Sequence, residues 1–369
     1  MATSLTPGAP PGRKRCHVST RPSPRVLTAA GVALVLLVGV AVAAWWFWPR
    51  TSEFEKALAL LPADSQRITW TDWAAVREEL DAGDVSGTGA GATEFLAEVT
   101  DRELTTSALA SSAPLLAEGL GFSPLAAEWE LFGQSEQGQV VIIRTDQDLG
   151  RVRDRAEALG FTAPSQDQLD GGTWAGSPDV IARVPGLTTF QLQSMAFFAD
   201  DGLLIGSESR AELERTVKIV RDGEGGIQPN ELTDAVGEPL AATLLLHDRA
   251  CAELAMSQAA PDAQTAARNL IEQAGGVSPL QGYAVALGAD DELRVVFAFE
   301  DDERAERNAR SRGALAKADD PGQYLSYPEV FDLGDTEADG SVVTLTASVL
   351  PDSFPMSSLA AGPVLLASC

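Results

Sequence analysis

The sequence predicts an α+β protein: a single N-terminal transmembrane helix followed by an extracytoplasmic body of mixed helices and antiparallel strands in two approximate halves. Three observations carry that expectation. Residues 26–48, VLTAAGVALVLLVGVAVAAWWFW, form one apolar run, and at about 1.5 Å of rise per residue such a helix crosses the roughly 30 Å hydrocarbon layer. Downstream, short apolar strands are joined by Asp-Gly and Asp-Asp steps that suit tight hairpins. A unit of strand, polar cap and helix also recurs: VVFAFEDDERAERNARSRGALA overlays QVVIIRTDQDLGRVRDRAEALGF, with Val295 and Val296 over Val140 and Val141 and Asp301 over Asp146. A looser third copy, LLIGSESRAELERTV, spans residues 203–217.

Charge divides at the apolar run. The 369 residues are 45% hydrophobic and 22% charged, the composition of a folded protein with a sizeable core. The first fifty carry six basic side chains and no acidic one, leaving 21 Lys or Arg against all 53 carboxylates beyond them. A body this acidic repels polyanions, which excludes a nucleic-acid partner.

Residues 1–25, rich in Pro, Gly, Ser, Thr and basic side chains, read as a disordered cytoplasmic head. Five basic residues before the span against Arg50 after it place the N-terminus inside by the positive-inside bias, with residues 26–48 meeting membrane lipid and Trp45, Trp46 and Trp48 at the outer headgroups. The run is longer than the apolar region of a secretory signal and ends in aromatics and Pro49, so an uncleaved anchor is expected over cleavage near Ala41 and Ala43. The resulting location is the cell membrane, single-pass, with the body outside. That body divides into 49–220 and 233–369 around the Gly/Pro-rich segment RDGEGGIQPNEL, and one continuous fold is expected because the repeat straddles it.

Within the body, Phe54, Leu58 and Leu61 recur at helical spacing and Leu61-Pro62 ends that helix. Ile68 and Trp70 alternate as in a strand, and Asp72 caps a helix carrying Trp73, Val76 and Leu80. Residues 81–91 read as a flexible loop lacking the Gly-Lys-Ser/Thr end of a phosphate loop, and 92–132 as mostly helical, broken at Pro114 and Pro124, with Trp129 in the core. Strand 140–144 leads into a helix on Leu149, Val152, Ala156 and Leu159, stopped by Gly160. Strands 195–198 and 203–205 flank Asp200-Asp201-Gly202; 241–246 and 283–287 are apolar strands, the latter joined through Asp290-Asp291 to 293–299. A helix over 251–259 is expected to end at Pro261, 341–349 to be the last long strand, and the apolar tail DSFPMSSLAAGPVLLASC to pack back as an edge strand.

Catalytic signals are few. His247, the one histidine beyond the span, stands beside Asp248, but no Gly-x-Ser-x-Gly or Ser-x-x-Lys nucleophile accompanies it, so a structural role is expected. One histidine and two separated cysteines cannot assemble a zinc site of usual composition. The pairs Asp200-Asp201 and Asp290-Asp291 and the run Glu300 to Glu303 fit turns and helix starts as well as they fit a two-carboxylate hydrolase. Asp335, Glu337 and Asp339, followed by Gly340, imitate the start of a calcium loop, yet Thr346 stands where the bidentate Glu belongs, and a solvated turn is expected. No catalytic residue, metal or cofactor is assigned. Of the cysteines, Cys16 precedes the span, so Cys251 and Cys369 are the only pair an oxidising compartment could join; the alternative is a buried thiol at 251 and a free one in the tail.

Leu61-Pro62-Ala63-Asp64 with Trp70-Thr71-Asp72-Trp73, FFADDGLLIGSE at 197–208, DRACAELAMSQAAP at 248–261 and GPVLLASC at 362–369 together resemble an actinobacterial family of membrane-anchored proteins built on a domain of unknown function. That resemblance implies an anchored body and transfers no catalytic residue. The function expected is therefore a membrane-tethered module that binds or organises a component of the cell envelope, with an envelope protein or a hydrophobic ligand as partner. A carboxylate-dependent envelope hydrolase is the enzymatic alternative, and a sensor is a third reading.

Overall fold

In a computed structural model, which describes residues 51–369, eleven strands form one antiparallel sheet. In chain order these are β1 (Arg67–Thr71), β2 (Trp129–Ser135), β3 (Gly138–Arg144), β4 (Trp174–Ala175), β5 (Ser194–Phe198), β6 (Leu203–Ser207), β7 (Ala241–Leu246), β8 (Gly282–Leu287) and β9 (Glu292–Ala298). After the small pair β10 (Asp319–Asp320) and β11 (Leu325–Ser326), β12 (Phe331–Asp339) and β13 (Val342–Val349) complete the sheet. Its order is β12-β13-β9-β8-β7-β1-β2-β3-β6-β5-β4.

That order contains a repetition. The first half runs outward as β1-β2-β3-β6-β5 and the second as β7-β8-β9-β13-β12. In each, the first strand leads into a helix (Trp73–Glu79, Arg249–Glu253) and the third into a longer one (Leu149–Leu159, Asp302–Leu315). The long helices are capped alike, Asp148 accepting from Arg151 N at 3.1 Å and Asp301 from Arg304 N at 2.8 Å. The cap matching Asp301 is thus Asp148, two residues beyond the expected Asp146. The halves join where β1 pairs with β7, Thr69 opposite Thr243 midway between Arg67–Leu245 and Thr71–Ala241. An approximate two-fold axis through that pair relates the two strand orders.

Alternation decides which side of each strand is buried where. Ile68 and Trp70 on β1 join Phe54, Leu131, Ile142 and Leu244 in a core that runs along one face of the sheet, beneath the helices Glu53–Leu58, Arg210–Asp222 and Glu231–Val236. Trp70 lies between Phe54 and Trp129, each ring centroid 5.4 Å away, and its indole N–H donates to Pro239 O at 2.9 Å. The opposite face carries two separate cores. One gathers Trp73, Phe95, Val141, Ile143, Val152 and Phe197; the other gathers Tyr283, Val285, Val295, Phe297, Leu345 and Leu366. Each fully buried Leu or Phe among them contributes about 1.5–3 kcal/mol.

Turn chemistry pins the register. Gly202 (φ 64°) closes the β5–β6 hairpin against Thr145 O, where a Cβ would come within 2.6 Å of that oxygen. Asp290 and Asp291, both at positive φ, form the β8–β9 turn, as a primed two-residue turn demands.

This architecture corrects the expected fold class. It is α+β around a single large antiparallel sheet, and among the described residues no helix is long and apolar enough to cross a membrane. Residues 1–50, holding the expected head, span and Cys16, lie outside the described residues. Local expectations change as well. The stretch 92–132 is helical only at Ala90–Asp101 and Ala113–Gly119 and in short turns, and Trp129 opens β2, which the hairpin with β3 holds extended despite Gly133 in its middle. Pro261 does not end a helix; it is the first residue of Pro261–Gln273, where its missing N–H costs nothing.

The tail makes no edge strand. Val364, Leu365, Leu366 and Ala367 are fully buried in a short 3-10 turn. A buried irregular backbone needs partners for its polar groups, and three side chains supply them. Arg312, itself buried, donates to the carbonyls of Leu366, Ser368 (2.8 Å) and Ser278 (3.1 Å) and lies 4.9 Å from the Phe297 ring centroid. Asp320 accepts from Leu365 N at 2.8 Å and from Tyr327 Oη at 2.5 Å, and Tyr327 Oη accepts from Leu366 N at 3.2 Å. Burial pushes the Arg312 guanidinium down to about 9. A disulfide joins Cys369 to Cys251, Cα atoms 5.7 Å apart, across 118 residues.

Candidate functional site

The two cores on one face of the sheet leave a cleft of about 490 Å³ above the β1–β7 join. Thr69 and Thr243, the pair at the approximate two-fold axis, lie in it with Arg67. One wall is the hydroxyl-rich segment Thr105-Thr106; the other is the helix Pro355–Ala360 with Phe354 before it and Ala361 after it. Phe354 is 51% exposed, one of three large apolar side chains left open to solvent among the described residues.

Hydrogen bonds fix the threonine wall to both halves. Thr106 Oγ1 donates to Trp70 O at 2.7 Å on β1 and to Ala242 O at 3.3 Å on β7, Thr69 Oγ1 donates to Thr106 O at 3.2 Å, and Thr106 N donates to Thr71 Oγ1 at 3.0 Å. Glu103, buried and at positive φ, reaches across to the opposite wall. Its carboxylate accepts from Met356 N at 2.7 Å, Ser357 N at 2.9 Å and the Ser357 hydroxyl, supplying acceptors for helix N–H groups that have none within the helix. Arg67 is also engaged, donating to Glu253 at 2.8 Å. Both charged side chains of the cleft therefore have partners, and the Glu103 carboxylate that accepts from the Ser357 hydroxyl is already occupied by two backbone N–H groups.

Beneath the threonine wall lies Glu130, opposite Thr71 in the β1–β2 ladder and 2% exposed. Its carboxylate accepts from Ser107 Oγ at 2.5 Å and Ala108 N at 2.9 Å, while the Trp73 indole N–H is turned toward it without closing a hydrogen bond. Burial pushes the acid up to about 7 from an ordinary 4.5, against the opposing pull of those donors. A carboxyl raised on folding binds more protons folded than unfolded between those values, so its contribution to stability falls as pH rises from 4.5 to 7. At about 1.4 kcal/mol per pH unit the loss is about 3 kcal/mol. Urea titrations at pH 4.5, 6 and 8 should show that fall as a difference between wild type and Glu130→Gln; parallel curves would count against it.

The sequence candidates lie elsewhere. His247, at positive φ after β7, and Asp248 are both exposed; Asp248 precedes Arg249–Glu253 without a side-chain cap bond. Asp335, Glu337 and Asp339 belong to β12, not to the expected turn. Asp335 sits in a bulge between Leu333 and Thr336, whereas Glu337 and Asp339, paired with Thr344 and Val342, line a separate acidic cleft with Glu231 and Asp234. Extended backbone spreads such residues along a line at about 3.4 Å each. Among the described residues no group of three or more His, Cys, Asp or Glu could hold a metal ion.

The segments behind the family resemblance have structural work. Leu61 packs against Gly133, where a Cβ would come within 2.7 Å of its methyl, and Asp64 is held below the usual carboxylate range by its bonds to Arg215. FFADDGLLIGSE is the β5–β6 hairpin, and GPVLLASC the buried tail. The cleft residues were not legible beforehand: Thr69, Thr105, Thr106, Thr243 and Glu130 form no motif, and only their placement at the join of two like halves picks them out.

No protein-family model matches the chain, and no curated protein matches it. Among solved structures it is similar to crystal form III of TP0453, with a TM-score of 0.40 and 7% identity over 80% of this chain and 94% of that one, and to crystal form I of TP0453, with 0.38 and 6% over 80% and 93%. Likeness at that level fixes no function.

Proposed function

We propose that the chain is a non-catalytic, extracytoplasmic binding module of the cell envelope that seats a ligand in the cleft between its two halves. The observation that carries this reading is the cleft's chemistry. A hydroxyl wall faces an apolar one across Thr69 and Thr243, and the two charges present are already bonded to protein groups. Such a site can orient a ligand with one polar and one apolar face, and it offers no free acid or base to transform it. The Cys251–Cys369 bond supports the oxidising side of the membrane as the location, and the resemblance of the signature segments to a membrane-anchored actinobacterial family agrees with it.

Thermal-shift screening of the purified body against muropeptides, envelope oligosaccharides and phospholipid vesicles, followed by calorimetry, tests the reading. Phe354→Ala and Thr243→Val are expected to weaken the binding found at least tenfold each while leaving the melting temperature within about 4 °C, the scale of about 1 kcal/mol or more in a domain this size. Binding indifferent to both substitutions would remove the cleft from consideration. Turnover of any of these compounds would overturn the non-catalytic part.

A further inference from the structure

Four of the hydroxyl groups that line the cleft have already spent their protons. Thr69 Oγ1 donates to Thr106 O at 3.2 Å, Thr100 Oγ1 to Leu96 O at 2.7 Å and Thr106 Oγ1 to Trp70 O at 2.7 Å. In each bond the partner is a carbonyl oxygen, which has no proton to give, so the hydroxyl is the donor. On the facing wall the Ser357 hydroxyl donates to the Glu103 carboxylate, again an acceptor. A hydroxyl owns one proton and two lone pairs. What these four groups still offer a ligand is therefore acceptor capacity alone. Thr243, opposite Thr69 on β7, keeps a hydroxyl that can turn either way.

We propose that the cleft takes a primary ammonium carried on an apolar stem, the head against the threonine wall and the stem against Phe354, Met356 and Ala361. This assignment rests on the cleft being the binding site. An ammonium brings three donors and no acceptor, the complement of groups that accept and do not donate. An alcohol brings lone pairs that the same groups leave unmatched, and a carboxylate brings acceptors alone. Hydrogen bonds from a charged donor are also about twice as strong as neutral ones. The half-exposed ring of Phe354 adds a face that attracts cations. Arg67, the cation lining the cleft, is paired with Glu253 at 2.8 Å. Around them the body sets 53 carboxylates against 21 basic side chains, so its overall field favours a cation over an anion. A small alkylamine and the lysine side chain of a protein partner share this chemistry.

Matched probes on the full chain test it. n-Butylammonium, n-butanol and n-butyrate share one stem and differ in the head, and binding at neutral pH is read from the ¹³C-methyl shifts of Thr69, Thr243 and Met356. n-Butylammonium is expected to bind there at least about tenfold tighter than n-butyrate and about threefold tighter than n-butanol. Thr100→Val removes one acceptor from an exposed position at the end of the helix Ala90–Asp101. It is expected to weaken n-butylammonium while leaving n-butyrate unchanged. A capped Gly-Lys-Gly peptide separates the two sources: binding tighter than n-butylammonium points to a lysine of a protein partner, weaker binding to a free amine, and both keep the ammonium. n-Butanol or n-butyrate shifting those methyls as strongly as n-butylammonium overturns the ammonium and leaves the cleft as a site. Should no probe shift them, the cleft itself is lost and the ammonium with it.

Discussion

Serine at both Cys251 and Cys369 is expected to lower the unfolding free energy by about 4 kcal/mol. The bond spans 118 residues, and closing a loop of about a hundred residues restricts the unfolded chain by roughly 4.7 kcal/mol in the chain-entropy view. The native tail has other attachments, so the loss acts mainly on the unfolded state. Equilibrium urea unfolding of oxidised wild type and the double variant reads the difference as a fall in midpoint; equal midpoints would mean the bond holds nothing. Thiol alkylation of the purified, oxidised protein is the companion measurement, with no reactive cysteine expected at 251 or 369.

The second large effect is at Arg312. Alanine there removes the donors to Ser278, Leu366 and Ser368, and a buried acceptor left without a donor costs about 1–3 kcal/mol. With the cavity added, the expected loss is about 4 kcal/mol or more. The charge itself carries a burial penalty, which is why its proton affinity is depressed, so Arg312→Met should lose less than Arg312→Ala. Lysine should not restore the wild type, since one ammonium cannot reach three carbonyls from the position of a planar fork. Because Arg312 and the disulfide fasten the same six residues, the triple variant is expected to lose less than the sum of the two changes. Strict additivity in that cycle would show the two attachments to be independent.

What the sequence disclosed and what it hid follow from the range of the interactions involved. Strand 241–246, the Asp-Gly and Asp-Asp hairpins, the helix stopped by Gly160 and the recurring strand-cap-helix unit are set by neighbours a few residues apart, and each is where the pattern puts it except that the cap in the first unit is Asp148 and not Asp146. β2 was hidden because Gly133 and Glu130 dilute its apolar pattern; it is a strand through its pairing with β1 sixty residues earlier and with β3. The acidic stretch of β12 reads as a turn until β13 pairs with it. Pro261 reads as a stop because local pattern does not distinguish the end of one helix from the first residue of the next. The tail's apolarity was legible, but its docking depends on Arg312 and Asp320, which lie some fifty residues before it. The cleft is the extreme case, since its parts come from four separate stretches of chain brought together across the β1–β7 join.

That register is the claim on which the cleft and the two-fold repetition both rest, and one cross-link tests it. Residues directly opposite in an antiparallel pair have Cα atoms about 4.5–5.5 Å apart, inside the window a disulfide accepts. With Thr69→Cys and Thr243→Cys introduced together, mild oxidation followed by peptide mass mapping is expected to find the two introduced thiols bonded to each other across the join. Recovery of both as free, alkylated thiols under conditions that leave Cys251–Cys369 intact would contradict the pairing of the two halves.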